Sequence, residues 1–351
     1  MCVQLRTSLR AIGIAFCISA FLLLSGCKRA IGPKPEAAYV NAPQVNLRDR
    51  LATIYEKKGI VRDGDKVYVL EKRKRFWRVR TERGEEGWLE EKYLVDEPTY
   101  DQFKKLSAEN LDSPAQARGV ARSTLNLHIA PGRETEHLYQ LKEGEQLDVL
   151  KRATAEKPLP PGVRPASTGN AAPTPALEDW SLVRDTQKRT GWVLARMIDL
   201  DVPLEIAQYA EGQRIVSFFV LNEVQDGDKK VAQYLLLMTD NRDGLPYDYN
   251  QVRIFTWNLR RHRYETAYRE HNIVGFFPVT TGTEDFGKDG VLPVFTLQVR
   301  DEQGNTVARK YRMLGPIVRR VLSPEEQQLQ AEKKTTRLAS AHPAARHKRK
   351  H

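Results

Sequence analysis

Hydrophobic and polar positions fall into three regimes along this chain. Residues 11–24, "AIGIAFCISAFLLL", are almost uninterruptedly apolar. Beyond residue 44 the pattern becomes short alternation. "KVYVL" (66–70) and "QLDVL" (146–150) alternate apolar and polar side chains as half-buried strands do, and "FWRVRT" (76–81) and "WSLVRD" (180–185) read as the strands that follow them. From about residue 203 the apolar runs lengthen: 214–224, 230–240, 251–259, 263–271, 294–301 and 307–314. They are separated by the turn signals "QDGDK", "NRDGLPYD", "RRH" and "DEQGN", a spacing that predicts antiparallel hairpins. Between the first two strand groups, "PTYDQFKKLSAENLDSPAQARG" (98–119) sets Tyr100, Phe103, Leu106 and Leu111 at helical spacing, predicting a short helical linker that ends near Ser113-Pro114. The expected fold class is mainly β: two small barrels, then an antiparallel sandwich or barrel-like domain.

The two groups of short strands repeat one another. Asn46-Leu47 matches Asn126-Leu127 at an offset of 80, and Gly64-Asp65 matches Gly144-Glu145 at the same offset. Val67 and Val69 correspond to Leu147 and Val149. After an insertion, Trp77 corresponds to Trp180 and Gly87-Trp88 to Gly191-Trp192. The insertion, 153–178, is rich in Pro, Ala and Gly and poor in apolar residues, so a mobile loop between two strands is expected. Gly64 and Gly144 fall where a turn asks for positive φ, and Gly87 and Gly191 where a backbone approaches closely. The expected organisation is a signal segment (1–26), a tether (27–39) overlapping the Pro/Ala/Gly-rich "AIGPKPEAAYVNAPQ" (30–44), and units at 40–96 and 120–202 joined by the linker 97–119. A C-terminal β domain (203–322) and an exposed helix with a basic tail (323–351) complete it.

This order of features resembles the bacterial SH3 (Src homology 3) domain: Asn-Leu-Arg near the first strand, Gly-Asp before the second, Trp-x-x-Val on the third and Gly-Trp-Leu/Val on the fourth. The resemblance covers residues 40–95 and 120–200. It implies a non-catalytic module that binds peptidoglycan peptides or protein partners, with Asn46, Arg48, Trp88, Asn126 and Trp192 as groove residues. The second unit departs from the pattern at His128, which stands where Arg48 stands in the first. Trp88 and Trp192 read as core or groove-wall residues more readily than as dedicated ligand platforms. "KRKR" (72–75) reads as a solvated turn, or else as a contact for anionic polymer.

The apolar run at 11–24 follows Arg6 and Arg10 and precedes Ser25-Gly26, the parts of a secretory signal, and is shorter than a membrane span needs. Leu24-Ser25-Gly26-Cys27 resembles the bacterial lipobox. That resemblance implies cleavage before Cys27 and acylation there, placing the protein in the cell envelope facing the periplasm, on the outer membrane in a Gram-negative cell. The other cysteines, Cys2 and Cys17, lie in the segment that would be removed, so no cysteine nucleophile, disulfide or cysteine-bound metal is expected in the mature chain.

Charge bears on partners through its placement. Of the net +11, residues 1–26 supply +2 and residues 333–351 supply +7, leaving +2 for 27–332. The body is nearly neutral, so no specific nucleic-acid partner is expected. The tail could meet any anionic polymer. In the C-terminal domain, "TDNRDGLPYD" (239–248) carries part of a calcium-loop pattern but reads better as a polar turn, with Thr239 at the first ligand position and Asp248 displaced. His262 and His271, with Glu265 and Glu270, differ in strand parity, arguing against a shared zinc site. Ser323, Pro324 and Glu326 form a helix-start signature. No cofactor is expected. The function expected is that of a non-catalytic envelope lipoprotein binding peptidoglycan or an envelope protein. The alternatives are a hydrolase active through the C-terminal domain and a scaffold with protein partners only.

Overall fold

The computed structural model describes residues 36–159, 175–323, 326–328 and 332. The expected signal segment, Cys27, the proline-rich middle of the insertion and the basic tail lie outside the described residues. The first sheet holds β1 (Ala37–Val40), β2 (Gln44–Arg48), β3 (Lys57–Arg62), β4 (Lys66–Arg73), β5 (Phe76–Thr81), β6 (Glu86–Glu90) and β7 (Leu94–Asp96) in the order β3-β2-β6-β5-β4-β1-β7. The second holds β8 (Ala117–Ala121), β9 (Leu125–His128), β10 (His137–Leu141), β11 (Gln146–Glu156), β12 (Leu177–Asp185), β13 (Thr190–Leu194) and β14 (Ile198–Leu200) in the order β10-β9-β13-β12-β11-β8-β14, which is the first order with every label raised by seven. Small bonds repeat with it. Gly64 N donates to Val40 O and Gly144 N to Ala121 O, each at 2.8 Å. Both glycines take positive φ, 82° and 76°.

Two readings need correction at their edges. The tether ends earlier than its composition suggests: Ala37–Val40 is a buried strand bonded to both β4 and β7. Small residues beside prolines look like a linker, yet small side chains are what an interior strand between two neighbours can hold. The insertion is likewise shorter than 153–178, because β11 and β12 stay paired from Ala153↔Trp180 to Glu156↔Leu177.

The linker helix α1 (Glu97–Glu109) starts at Asp96, whose carboxylate accepts from Thr99 N at 2.9 Å, with Pro98 in its first turn. It is a wedge. Phe103 is fully buried in a cluster with Tyr39 and Val95 of the first unit and Leu138 of the second. Beyond its end, the Arg184 guanidinium donates to the carbonyls of Asn110, Leu111 and Ser113 and to Asp148.

The third sheet is a meander in chain order: β15 (Arg214–Asp226), β16 (Lys229–Thr239), β17 (Tyr249–Asn258), β18 (Arg263–Asp285), β19 (Val291–Arg300), β20 (Thr306–Leu314) and β21 (Ile317–Val321). Its two faces are both covered. Leu235 and Leu237 join Leu221, Phe295, Tyr311 and Met313 in one core, so β15 and β20 share an interior and the sheet curls into a half-barrel. Tyr234, Leu236 and Met238 face the other way, under Ile206 of the short helix α2 (Leu204–Ala207). That two-sided burial explains the unbroken apolar run of β16. β18 continues well past His271, where its alternation ends. It pairs with β17 up to Gly275 and with β19 from Gly275 onward, and Pro278 falls in the register gap between Phe276 and Thr280 where no ladder bond is lost.

Candidate functional site

Alternation along β2 sends Leu47 into the first unit's core and leaves Asn46 and Arg48 on the opposite face. Arg48 stands directly across from Trp88 on β6. Its guanidinium bonds Glu90 Oε1 at 3.1 Å and lies 4.6 Å from the Tyr55 ring centre and 5.3 Å from that of Phe76. Arg73, at the hairpin tip, covers the Trp88 ring at 5.5 Å, and Trp88 is only 9% exposed. Lys72 sits 4.0 Å over Trp77, and Lys92 holds Glu90 at 2.9 Å. The hydrogen bond from Lys92, followed by the nearby charge of Arg48, keeps the Glu90 carboxyl below the usual range. "KRKR" is thus the β4–β5 tip with Lys74 at φ 51°, and Lys72, Arg73 and Arg75 laid over the rings of Trp77, Trp88 and Phe76. The result is a shallow cationic-aromatic surface suited to anionic or planar groups.

The second unit places different chemistry at the same strand positions. Asn126 Oδ1 accepts from Gln140 Nε2 at 2.8 Å. His128, across from Trp192, has Nδ1 3.0 Å from the carbonyl of Thr135. A carbonyl only accepts, so Nδ1 carries the hydrogen and Nε2 is left as an acceptor in the neutral ring. Burial pushes the pKa values of both His128 and His137 down, favouring that neutral form. Trp180 packs edge-on to His128 at 5.2 Å, is 2% exposed, and its indole N–H has no partner among the described residues. A cavity of about 260 Å³ opens between Asn126, His128, Gln140, Trp180 and Met197. Trp192 faces His128 across the ladder without lining this cavity. The tryptophan that does line it is Trp180, and here the sequence match to Trp77 needs correction: Trp180 pairs with Ala153 and Leu194 as Phe76 pairs with Arg73 and Glu90, so the ladder gives it the place of Phe76. Gln140 had no signal in the sequence beyond its strand.

The C-terminal candidates resolve into structural contacts. In 239–248, Asp243 binds Arg214 at 2.8 Å, Asp240 binds Asn250, and Asp248 faces Arg152 at 3.6 Å and accepts from Phe277 N at 2.7 Å. Arg152 also donates to the carbonyls of Leu245 and Tyr247 and to Asp179, whose carboxylate accepts from Gly244 N. The loop that resembled a calcium site therefore holds Arg214 of its own sheet and grips Arg152 of the second unit. His262 pairs with Asp226 at 2.7 Å, whereas His271 meets Gln251 at 2.7 Å, so the structure does not bring the two histidines together.

Residues 43–95 match the family described as the bacterial SH3 domain. No curated protein matches the chain. Among solved structures, an NlpC/P60 family protein from Bacillus cereus is 12% identical with a TM-score of 0.22, covering 54% of this chain and 65% of that one, slightly less than two thirds of its length. NlpC2 from Trichomonas vaginalis is 9% identical with a TM-score of 0.17, covering 80% of this chain and 98% of that one.

Proposed function

We propose that this is a non-catalytic cell-envelope lipoprotein, acylated at Cys27, whose two SH3-like units bind peptidoglycan or an envelope protein. The observation that carries the reading is the bacterial SH3 domain at 43–95, together with the recurrence of its strand order in 117–200. The second unit is read as a module of the same kind whose groove has changed character. Arg48 and its aromatic neighbours offer stacking and charge, while Asn126, Gln140, His128 and the Trp180 N–H offer neutral donors and acceptors around an open cavity. The third sheet acts as a support held to the second unit through Arg152 and Gln116.

Incubating the mature protein with purified peptidoglycan tests the reading against its enzymatic rival. The proposal expects the protein to be retained by the polymer with no soluble fragments released. Release of fragments that is lost on mutating the third sheet would assign catalysis there instead.

A further inference from the structure

The loop between β2 and β3 points two aliphatic side chains into solvent: Ile54 is 88% exposed and Leu51 41%. The loop is braced. Asp49 N donates to Glu56 O at 3.1 Å, Asp49 Oδ1 accepts from Glu56 N at 2.7 Å, and Tyr55 lies beneath Arg48. The second unit shows that the fold does not require such a display. Its corresponding loop closes with the same main-chain bond, Ile129 N to Glu136 O at 2.9 Å, but turns inward. There Arg133 binds the buried Glu178, Thr135 bonds the carbonyls of Ala130 and Gly132, and Ile129 packs into the cluster around Phe103.

Cations outnumber acids on the two segments beside the exposed pair, although Arg48, Arg50, Lys58, Lys72 and Arg73 are engaged in ion pairs with Glu90, Asp49, Glu56, Glu36 and Glu71. Residues 48–58 hold Arg48, Arg50, Lys57 and Lys58 against Asp49 and Glu56, and the hairpin 71–76 holds Lys72, Arg73, Lys74 and Arg75 against Glu71. Both segments meet at Arg48, which touches Tyr55 from the loop and Phe76 from the hairpin. Aliphatic tips, an aromatic layer behind them and a rim of lysine and arginine are the chemistry of a surface that rests on acidic lipid headgroups.

We infer that this edge of the first unit docks on an anionic lipid bilayer, with Leu51 and Ile54 entering the headgroup layer. The inference rests on the envelope-lipoprotein reading for the direction of approach. From Cys27 to Glu36 is a stretch of nine residues, which spans at most about 30 Å and so holds the first unit near the lipid. The docking chemistry itself needs only the loop and the hairpin.

Full-length acylated protein carrying Ile54→Trp, reconstituted in vesicles with brominated acyl chains, tests this. With phosphatidylglycerol present, emission from the added indole should fall by about two-fold or more, and high salt or Arg75→Glu should reverse the loss. Val291→Trp, at a 67% exposed site on the β18–β19 hairpin, should stay bright. Protein that remains on the vesicles with position 54 unquenched would overturn the docking and leave the anchor standing. Protein that washes off yet is quenched when vesicles are added back would overturn the anchor and keep the docking. Equal quenching at positions 54 and 291 would overturn the assignment of this edge.

Discussion

At Gly87 and Gly191 the space beside the backbone admits a hydrogen and little else. A Cβ would meet the Leu47 Cβ at 2.8 Å in one unit and the Leu127 Cβ at 2.7 Å in the other. Both leucines are core residues that cannot retreat. Gly87→Ala and Gly191→Ala should each lower stability by about 2 kcal/mol in urea unfolding. Asp63 is a second residue whose environment has a measurable consequence. Burial, only partly offset by Arg189 at 3.6 Å, pushes its pKa up to about 6. The folded protein therefore holds a proton there that the unfolded chain has already lost. The associated stabilisation is complete below the ordinary value of 3.8 and disappears as the pH rises through about 6. Asp63→Asn, a mimic of the protonated form, should match the parent near pH 4 and exceed it by roughly 2–3 kcal/mol near pH 7.5. Comparing the two proteins at each pH cancels the opposite contribution of His128 and His137, which burial holds neutral.

At the scale of elements, the repeat was legible because glycines and tryptophans mark turns and close approaches at fixed offsets, and those positions constrain the backbone whatever surrounds them. The strands β1, β7, β8 and β14 were less so: each is three to five residues long, too short for alternation to register. Their place depends on partners far along the chain. The same holds for Arg184, which reads as one more charged residue on a strand but satisfies three carbonyls at the end of α1 and pairs with Asp148. Arg184→Ala should cost on the order of 3 kcal/mol, because several polar groups lose their partner at once. The loss should appear in hydrogen exchange first at α1 and β11. In the candidate site, the strand positions of Asn46, Arg48, Trp88, Asn126 and Trp192 were legible from the Asn-Leu and Gly-Trp pairs, and their part in binding remains a proposal. The cavity was not, because it forms where Gln140 and Trp180 arrive from separate strands.

For the whole molecule, the third sheet is coupled to the second unit through a small number of polar contacts of high consequence. Arg152 is 11% exposed and sits between Asp179, Asp248 and two carbonyls of the 240–248 loop. Arg152→Ala leaves Asp179 with Arg214 and Gly244 N and Asp248 with Phe277 N, but removes the cation between the two carboxylates and the donor to two carbonyls, and should cost about 3 kcal/mol. A calorimetric trace that splits into two transitions would show the coupling lost, whereas a single, merely shifted transition would show that Gln116 and its contacts to Val279 and Ser217 suffice.

The most direct test of the proposed role is sedimentation with insoluble peptidoglycan at low salt, using protein that lacks residues 323–351 so that the basic tail plays no part. The account predicts that this body pellets with the polymer and that Asn126→Ala combined with His128→Ala weakens retention about ten-fold or more, a loss of roughly 1.4 kcal/mol or greater. A body that stays in the supernatant, or a double variant retained as well as the parent, would contradict it.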